Sequence, residues 1–202
     1  MDEQKNVITH AAQSMVAAYR ASPWGEELEL DACQQFMSAF YESKDGLGIY
    51  DYRVSQHELP YLYVGIEHYG DNIEKFIDDE FSKDTAFFHA VSDTGIRTAL
   101  SGVRNMVYLA NIHADKTVLI PDDFKPRLKV LPELIEKLFV EKNADAITLY
   151  THRETGVFRA VSSLDKTLYD VTIVEYDVDK MQAVMNEHSQ IDYLEFVLIR
   201  RR

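Results

Sequence analysis

Residues Thr117–Val178 read TVLIPDDFKPRLKVLPELIEKLFVEKNADAITLYTHRETGVFRAVSSLDKTLYDVTIVEYDV, and their rhythm decides the fold class. Thr117, Val118, Leu119 and Ile120 are a short β-branched run stopped by Pro121-Asp122-Asp123, the pattern of a strand ending in a turn. Pro126 suits an early helical position, where its missing N–H is not needed. Leu128, Leu131, Leu134, Ile135, Leu138 and Phe139 then recur at spacings of three and four, with Glu133, Glu136, Lys137 and Glu141 on the other face. Pro132 removes a hydrogen bond inside a helix, so the regular helix is expected to start near Leu131 after an irregular lead-in over 126–130. Ala146–Tyr150 is short and apolar, a buried strand. A short helix follows, and then two strands, Asp170–Val178 and Ile191–Arg200, which a helix-like Asp179–Glu187 connection lets pair antiparallel. Strand, helix and strand in that order require a right-handed crossover and a sheet whose middle is covered.

Outward from this stretch the chain keeps the same grammar. Ile8, Ala11, Ala12, Met15, Val16 and Tyr19 give Val7–Arg20 one apolar helical face, broken by Ser22-Pro23-Trp24-Gly25. Leu30–Glu42 aligns Cys33, Phe36, Met37, Phe40 and Tyr41 on a second helix. From Leu47 the period becomes two: Tyr50, Tyr52 and Val54 alternate with Asp51 and Arg53, and Tyr61–Ile66 is again strand-like. Tyr69-Gly70-Asp71-Asn72 reads as a turn, with Asp71 and Glu74 as a capping box for a helix carrying Ile73, Phe76, Ile77 and Phe81. Thr85–Val91 is a strand candidate. The 96–110 segment fits either a helix, through Ile96, Ala99, Leu100, Val103 and Val107, or a β-run at Met106–Leu109, and Gly102 disfavours both. The expected organisation is therefore a helical portion, 1–46, and an α/β core with a mixed sheet, 47–202, with a seam at 43–48.

Composition narrows the function classes. The chain has 202 residues, 46% hydrophobic and 27% charged, with 21 basic against 34 acidic residues and a net charge of −13. That balance disfavours a general phosphate-binding surface and argues against nucleic acid as partner; a basic protein partner is the complementary expectation. Carboxylates gather at Glu26–Asp31, Asp78–Glu80 and Asp170–Asp179. The single cysteine, Cys33, excludes an intrachain disulfide and a cysteine-cluster metal site, and its place on an apolar stripe implies an inert, buried thiol. No signal peptide and no run of membrane-spanning length is present, so a cytoplasmic location, or the cytoplasm of an infected host, is expected.

No motif settles the chemistry. His10, His57, His68, His89, His113, His152 and His188 show no metal-ligand spacing, and no metal is expected. Neither a nucleophile elbow nor a phosphate-binding P-loop sequence occurs. His57-Glu58 and Glu67-His68 are adjacent acid–imidazole pairs, but neighbours along a strand point to opposite faces.

The order strand, turn, long helix, strand, short helix, paired strands resembles the C-terminal half of the GNAT-type N-acyltransferase superfamily. There a strand and a loop of the form Val-x-Pro-Glu-Tyr-Arg, then Gly-x-Gly, bring backbone N–H groups to an acyl-CoA pyrophosphate. Leu119-Ile120-Pro121-Asp122-Asp123-Phe124-Lys125 is similar in shape, with Leu128 and Val130 where the family has glycines. The resemblance implies acetyl-CoA or another acyl-CoA as cofactor, held by the Ile120–Leu131 loop with Ile120, Lys125, Arg127 and Lys129. The family's Tyr-Glu-Lys-x-Gly-Phe segment corresponds to Leu164-Asp165-Lys166-Thr167-Leu168-Tyr169. Its proton-donating tyrosine falls on Leu164, which leaves Tyr169 and Tyr150, near in sequence, as catalytic candidates. The functional expectations are thus an acyl-CoA-dependent N-acyltransferase, a non-catalytic acidic inhibitor or regulator, and, third, a structural assembly subunit.

Overall fold

The structure, a computed structural model, describes residues 2–20, 28–42, 48–52, 62–82, 93–114, 126–153, 155–174 and 194–202. Helices α1 (Asp2–Arg20) and α2 (Leu30–Glu42) open the chain, followed by β1 (Gly48–Tyr52), β2 (Leu62–Gly70), α3 (Ile73–Ser82) and α4 (Asp93–Ala99). Then come β3 (Met106–Ala114), α5 (Pro126–Glu141), β4 (Ala146–His152), α6 (Gly156–Ser162), β5 (Tyr169–Val174) and β6 (Leu194–Arg201). The described strands form a mixed sheet in the order β1-β2-β3-β4-β6-β5. β1 is antiparallel to β2, and β6 is antiparallel to both β4 and β5. Asn105 and Asp145 stand just before β3 and β4, and the Asp145 amide donates to the Asn105 carbonyl at 2.9 Å. Both strands therefore start at one end and run parallel. This is the α/β architecture with flanking helices that the sequence pattern implies.

Three local expectations are corrected. α5 begins at Pro126 and runs through Pro132, so 126–130 is helix rather than irregular lead-in. Pro132 forfeits one backbone bond at about 3 kcal/mol, and burial of Val130, Leu131, Ile135, Leu138 and Phe139 on either side outweighs it. Leu134, by contrast, is only half-buried. Tyr69 and Gly70 belong to β2, not to a turn, and the strand ends where Gly70 takes φ +59°, a conformation glycine adopts without strain. Asn72, not Asp71, caps α3: its Oδ1 accepts from the Lys75 amide at 3.1 Å, satisfying one orphan donor of the first turn. The 96–110 ambiguity resolves into α4, a turn through Gly102 at φ +75°, and β3. The strands expected at 85–91 and 117–120 and the helix at 179–187 lie outside the described residues.

The chain divides into two compact units, Met1–Glu67 with Leu109–Lys125, and His68–Tyr108 with Pro126–Arg202. In the first, Val7, Ala11, Ala12 and Met15 of α1 meet Cys33 and Met37 of α2 and Tyr63 of β2. Burial raises the pKa of the Cys33 thiol, which keeps it protonated and unreactive. Gly65 lets α2 approach β2: a Cβ there would stand 3.1 Å from the Phe40 ring.

In the second unit the strand alternation sorts side chains onto two faces. Thr148 and Tyr150 of β4 share a face with Leu198 and Phe196 of β6, and Ile147, Leu149 and Thr151 share the other with Ile199, Val197 and Glu195. On the first face Phe76 of α3 packs edge-on against Tyr69 and Tyr108, at 5.3 Å in each case. β6 lies between β4 and β5 and has both faces buried from Glu195 to Ile199, as a strand covered on both sides must.

Candidate functional site

The second unit has two distinguishable ends. At one, Asn105 donates from Nδ2 to the carbonyls of Lys142 and Asn143, 2.8 Å each, and so caps the carboxyl end of α5. The same Asn105 receives the Asp145 amide at the start of β4. α5 has 16 residues and runs back about 24 Å, so its amino end lies toward the opposite end. There β4 finishes, α6 begins, and β6 starts opposite the end of β4 in the register His152↔Leu194. The carboxyl ends of parallel strands are where α/β sheets commonly bind ligands.

At this end stands the one carboxylate among the buried residues described, Glu195, 2% exposed on β6. Arg153, just past β4, donates from Nε to its Oε1. The two halves of the pair differ sharply: the Glu195 side chain is 3% exposed and that of Arg153 67%. Thr151, the register partner of Glu195, is also buried, and its Oγ1 lies 2.8 Å from Thr155 Oγ1. Thr155 in turn caps α6 by accepting from the Phe158 amide at 3.1 Å.

The catalytic candidates from the sequence lie elsewhere. Tyr169 pairs in register with Arg201, at the end where β4 starts, roughly a strand length (~20 Å) from Glu195. Its hydroxyl donates to Glu136 Oε2, and Arg201 Nη2 bonds the other oxygen of Glu136 at 2.8 Å. Its ring stacks on Phe139 with centroids 5.7 Å apart. Burial, the hydrogen bond to Glu136 and the charge of that carboxylate push the Tyr169 hydroxyl up to about 12. Because Tyr169 and Arg201 are register partners on the Glu195 face of β6 and both reach Glu136, α5 covers that face. Tyr150 projects from the opposite face, its ring 5.1 Å from Phe196 and 6.0 Å from Tyr108. The two tyrosines are not brought together. Leu164, where the family's tyrosine would stand, is buried.

Ile120 and Lys125 lie outside the described residues; Arg127 and Lys129 belong to the first turns of α5. Of the acid–imidazole pairs, His57-Glu58 lies outside the described residues, while His68 Nε2 bonds Asn105 Oδ1 at 2.5 Å. Of the Asp170–Asp179 cluster, Asp170 pairs with Arg202 at 2.5 Å, and Glu175, Asp177 and Asp179 lie outside the described residues. Among the described residues no group of three or more His, Cys, Asp or Glu side chains could hold a metal, and no helix is long and apolar enough to cross a membrane.

The first unit carries a polar cluster of its own. His113 of β3 is buried, donates from Nε2 to the Ala11 carbonyl at 3.0 Å, and places Nδ1 3.0 Å from the Asn111 side-chain amide. Tyr63 stacks on its ring at 5.3 Å and bonds His10 through the hydroxyl. Burial, with a smaller push from His10, lowers the His113 pKa to about 4 against the opposing Ala11 bond. The ring is therefore neutral near pH 7. Asn111 Oδ1 is the atom 3.0 Å from Nδ1, while Asn111 Nδ2 donates to Met15 Sδ at 3.6 Å.

No family model and no curated protein matches this sequence. Among solved structures, a Drosophila melanogaster polyamine N-acetyltransferase, an enzyme that catalyses the formation of N-acetylagmatine, aligns over 96% of this chain and 95% of its own. The identity is 10% and the TM-score 0.52. This chain has a GNAT-type fold. A possible acetyltransferase from Clostridium difficile 630 aligns over 86% of this chain and 92% of its own, at 13% identity and a TM-score of 0.49. With the GNAT fold in place, β3, α5 and β4 form its strand–helix–strand core, with β6 and β5 beyond. Glu195 and Arg153 escaped sequence reasoning. Their one signal was the acid that interrupts the apolar run Leu194–Ile199.

Proposed function

We propose that this chain is an acyl-CoA-dependent N-acyltransferase whose α5 amino end receives the phosphates of the acyl-CoA. The observation that carries the reading, beside the fold, is the charge at that helix end. The first turn of α5 holds no acidic residue, and the chain there reads Lys125-Pro126-Arg127-Leu128-Lys129. Helix amino ends present unpaired N–H groups and a partial positive charge, so each cation there costs about 0.3–1 kcal/mol. In a chain with net charge −13, a cationic helix start runs against both composition and dipole, and a bound anion relieves it.

Lys125, Arg127 and Lys129 would hold the phosphates, with the backbone amides that follow Pro126 as further donors. Val130 is buried against the core, so the approach is to the helix end itself and not through a glycine loop. Acyl-CoA, when bound, supplies the acyl group as a thioester, which passes to an amine as the amine loses a proton and CoA leaves as the thiol. Tyr169, tied to Glu136 at the far end of the unit, serves packing in this reading. A cytoplasmic location, where acyl-CoA is at hand, belongs to the same proposal.

Titration calorimetry with acetyl-CoA tests it. Binding is expected in the unmodified chain, with Arg127→Glu weakening it and flattening its salt dependence. An absence of heat at millimolar acetyl-CoA overturns the reading.

A further inference from the structure

We infer that the outer edge of β5 is an interface between two copies of this chain, paired antiparallel about Thr172 so that their sheets run on as one. Among the described residues the sheet order ends at β5, so one edge of Tyr169–Val174 has no neighbouring strand. Such edges are commonly blunted by lysine, proline or a bulge, because unpaired N–H and C=O groups recruit another strand. β5 has none of these: it reads YDVTIV, and its register with β6 is unbroken. Its one charged side chain, Asp170, is tied to Arg202. Leu168, just before the strand, and Ile173, within it, are 53% and 37% exposed.

The backbone fixes the register. The Arg202 amide donates to the Leu168 carbonyl at 2.9 Å, a hydrogen-bonded pair that continues the β5–β6 ladder. Such pairs alternate along antiparallel strands, so Asp170, Thr172 and Val174 turn their backbone groups toward β6, and Val171 and Ile173 turn theirs outward. The Tyr169 amide agrees, since it faces away from β6 to bond the Asp165 carbonyl at 2.9 Å. A second β5 centred on Thr172 sets Val171 of each copy against Ile173 of the other, and all four outward N–H groups find carbonyls. Centring on Val171 instead would set Ile173 against Tyr169, whose amide is already committed. Thr172 is exposed and meets its own copy in the closer, non-hydrogen-bonded position, where threonine pairs are favourable. Charge agrees as well. Each copy carries a net charge of −13, which drives two copies apart wherever acids meet acids. At the start of the edge Lys166 and Arg202 balance Asp165 and Asp170, while Glu175 and Asp177 follow Val174 in the chain. Antiparallel pairing sets that acidic continuation beside the other copy's balanced start and away from its twin. The contact is small, so the dimer is weak and forms as concentration rises.

Sedimentation velocity from micromolar to millimolar concentration tests it, and the unmodified chain is expected to pass from monomer to dimer. Val171→Pro removes an outward N–H at a place where an edge strand tolerates proline. Two of the four bonds are then lost, and the dimer should weaken roughly tenfold or more. Thr172→Lys lowers the net negative charge that drives copies apart, yet it sets two ammonium groups opposite each other and should weaken the dimer too. Thr172→Cys reads the register directly. In oxidising buffer it should cross-link two copies, because directly opposite residues lie within disulfide reach, whereas Val171→Cys, opposite Ile173, should not. Circular dichroism checks that each variant folds, and if Val171→Pro does not, Thr172→Lys and Thr172→Cys decide the matter. A chain that stays monomeric to millimolar concentration overturns the inference and leaves the edge to another partner or to none. A dimer that Thr172→Lys leaves intact, or equal cross-linking of Thr172→Cys and Val171→Cys, overturns it as well. Acetyl-CoA titration is separate from all of these outcomes, so the acyltransferase reading stands or falls on its own.

Discussion

Each compact unit buries polar side chains, and the two do it in opposite ways. In the first, His113, Asn111, Tyr63 and His10 form a network closed onto the Ala11 carbonyl, with His113 only 5% exposed and its ring held neutral by burial. In the second, Glu195 buries a charge whose counter-ion stands in solvent. The first arrangement satisfies its groups internally and fixes how α1 lies on β2 and β3. The second pairs a buried carboxylate with a guanidinium that stands in water.

The sharpest way to break this contrast is acid. Burial lowers the His113 pKa to about 4 from an ordinary 6.5. Between those values the unfolded chain binds the proton and the folded one does not, so stability is full above pH 6.5 and falls as the pH drops toward 4. The loss is about 3 kcal/mol. Urea melts of the unmodified chain and His113→Gln across pH 4–7 check it: the variant's curve should be flatter by that amount. Equal slopes would mean that His113 titrates alike in the folded and the unfolded chain, and that burial does not hold its ring neutral.

A smaller effect is expected at Glu136. Sequence periodicity places it on the solvent face of α5, where truncation would be silent. The structure instead gives it the Tyr169 hydroxyl and Arg201. Glu136→Ala should cost about 2 kcal/mol in denaturant melts, because a largely buried hydroxyl loses its acceptor. Tyr169→Phe, which removes the donor and leaves Glu136 to Arg201, should cost about 1 kcal/mol. It should leave acetyl transfer intact, whereas loss of turnover without loss of stability would restore Tyr169 as a catalytic group. The raised Tyr169 pKa adds a sign: the folded state keeps its proton longer than the unfolded chain, so stability from this group is lost as pH rises from 10 toward about 12.

The Glu136 error shows what sequence can carry. The 3.6 period marked α1, α2 and α5 because each buries one stripe, which local spacing records, whereas β4 and β6, buried on both faces, showed as short apolar runs. Pro132 was misjudged because a local rule was applied where tertiary burial of Leu131 and Ile135 prevails. The contacts His113–Ala11, Arg153–Glu195 and Tyr169–Glu136 join residues 102, 42 and 33 apart. No window of sequence holds both partners. The site was therefore less legible than the fold: the cationic start of α5 was visible as Lys125, Arg127 and Lys129, and the anionic partner of Arg153 was not.

The smallest prediction is a control on the idea that burial gives the Glu195 pair its meaning. Arg97 and Glu74 make a better-formed ion pair by geometry alone, with Nη1 2.5 Å from each carboxylate oxygen. Yet both side chains are exposed, 41% and 70%. Water screens the attraction, and ordering two long side chains takes back most of it, so Arg97→Ala should change stability by about 0.5 kcal/mol or less. Removing Arg153 leaves a carboxylate whose side chain is only 3% exposed without its counter-ion, and its cost should be several times larger. Melts of Arg97→Ala and Arg153→Ala at low and high salt make the comparison. The first should be small and vanish with salt, the second larger and nearly salt-independent, since a buried charge lies beyond the screening atmosphere. Two equal and equally screened losses would mean that Glu195 behaves as an exposed carboxylate, and the distinction between a pair with one buried member and an ordinary surface pair would collapse.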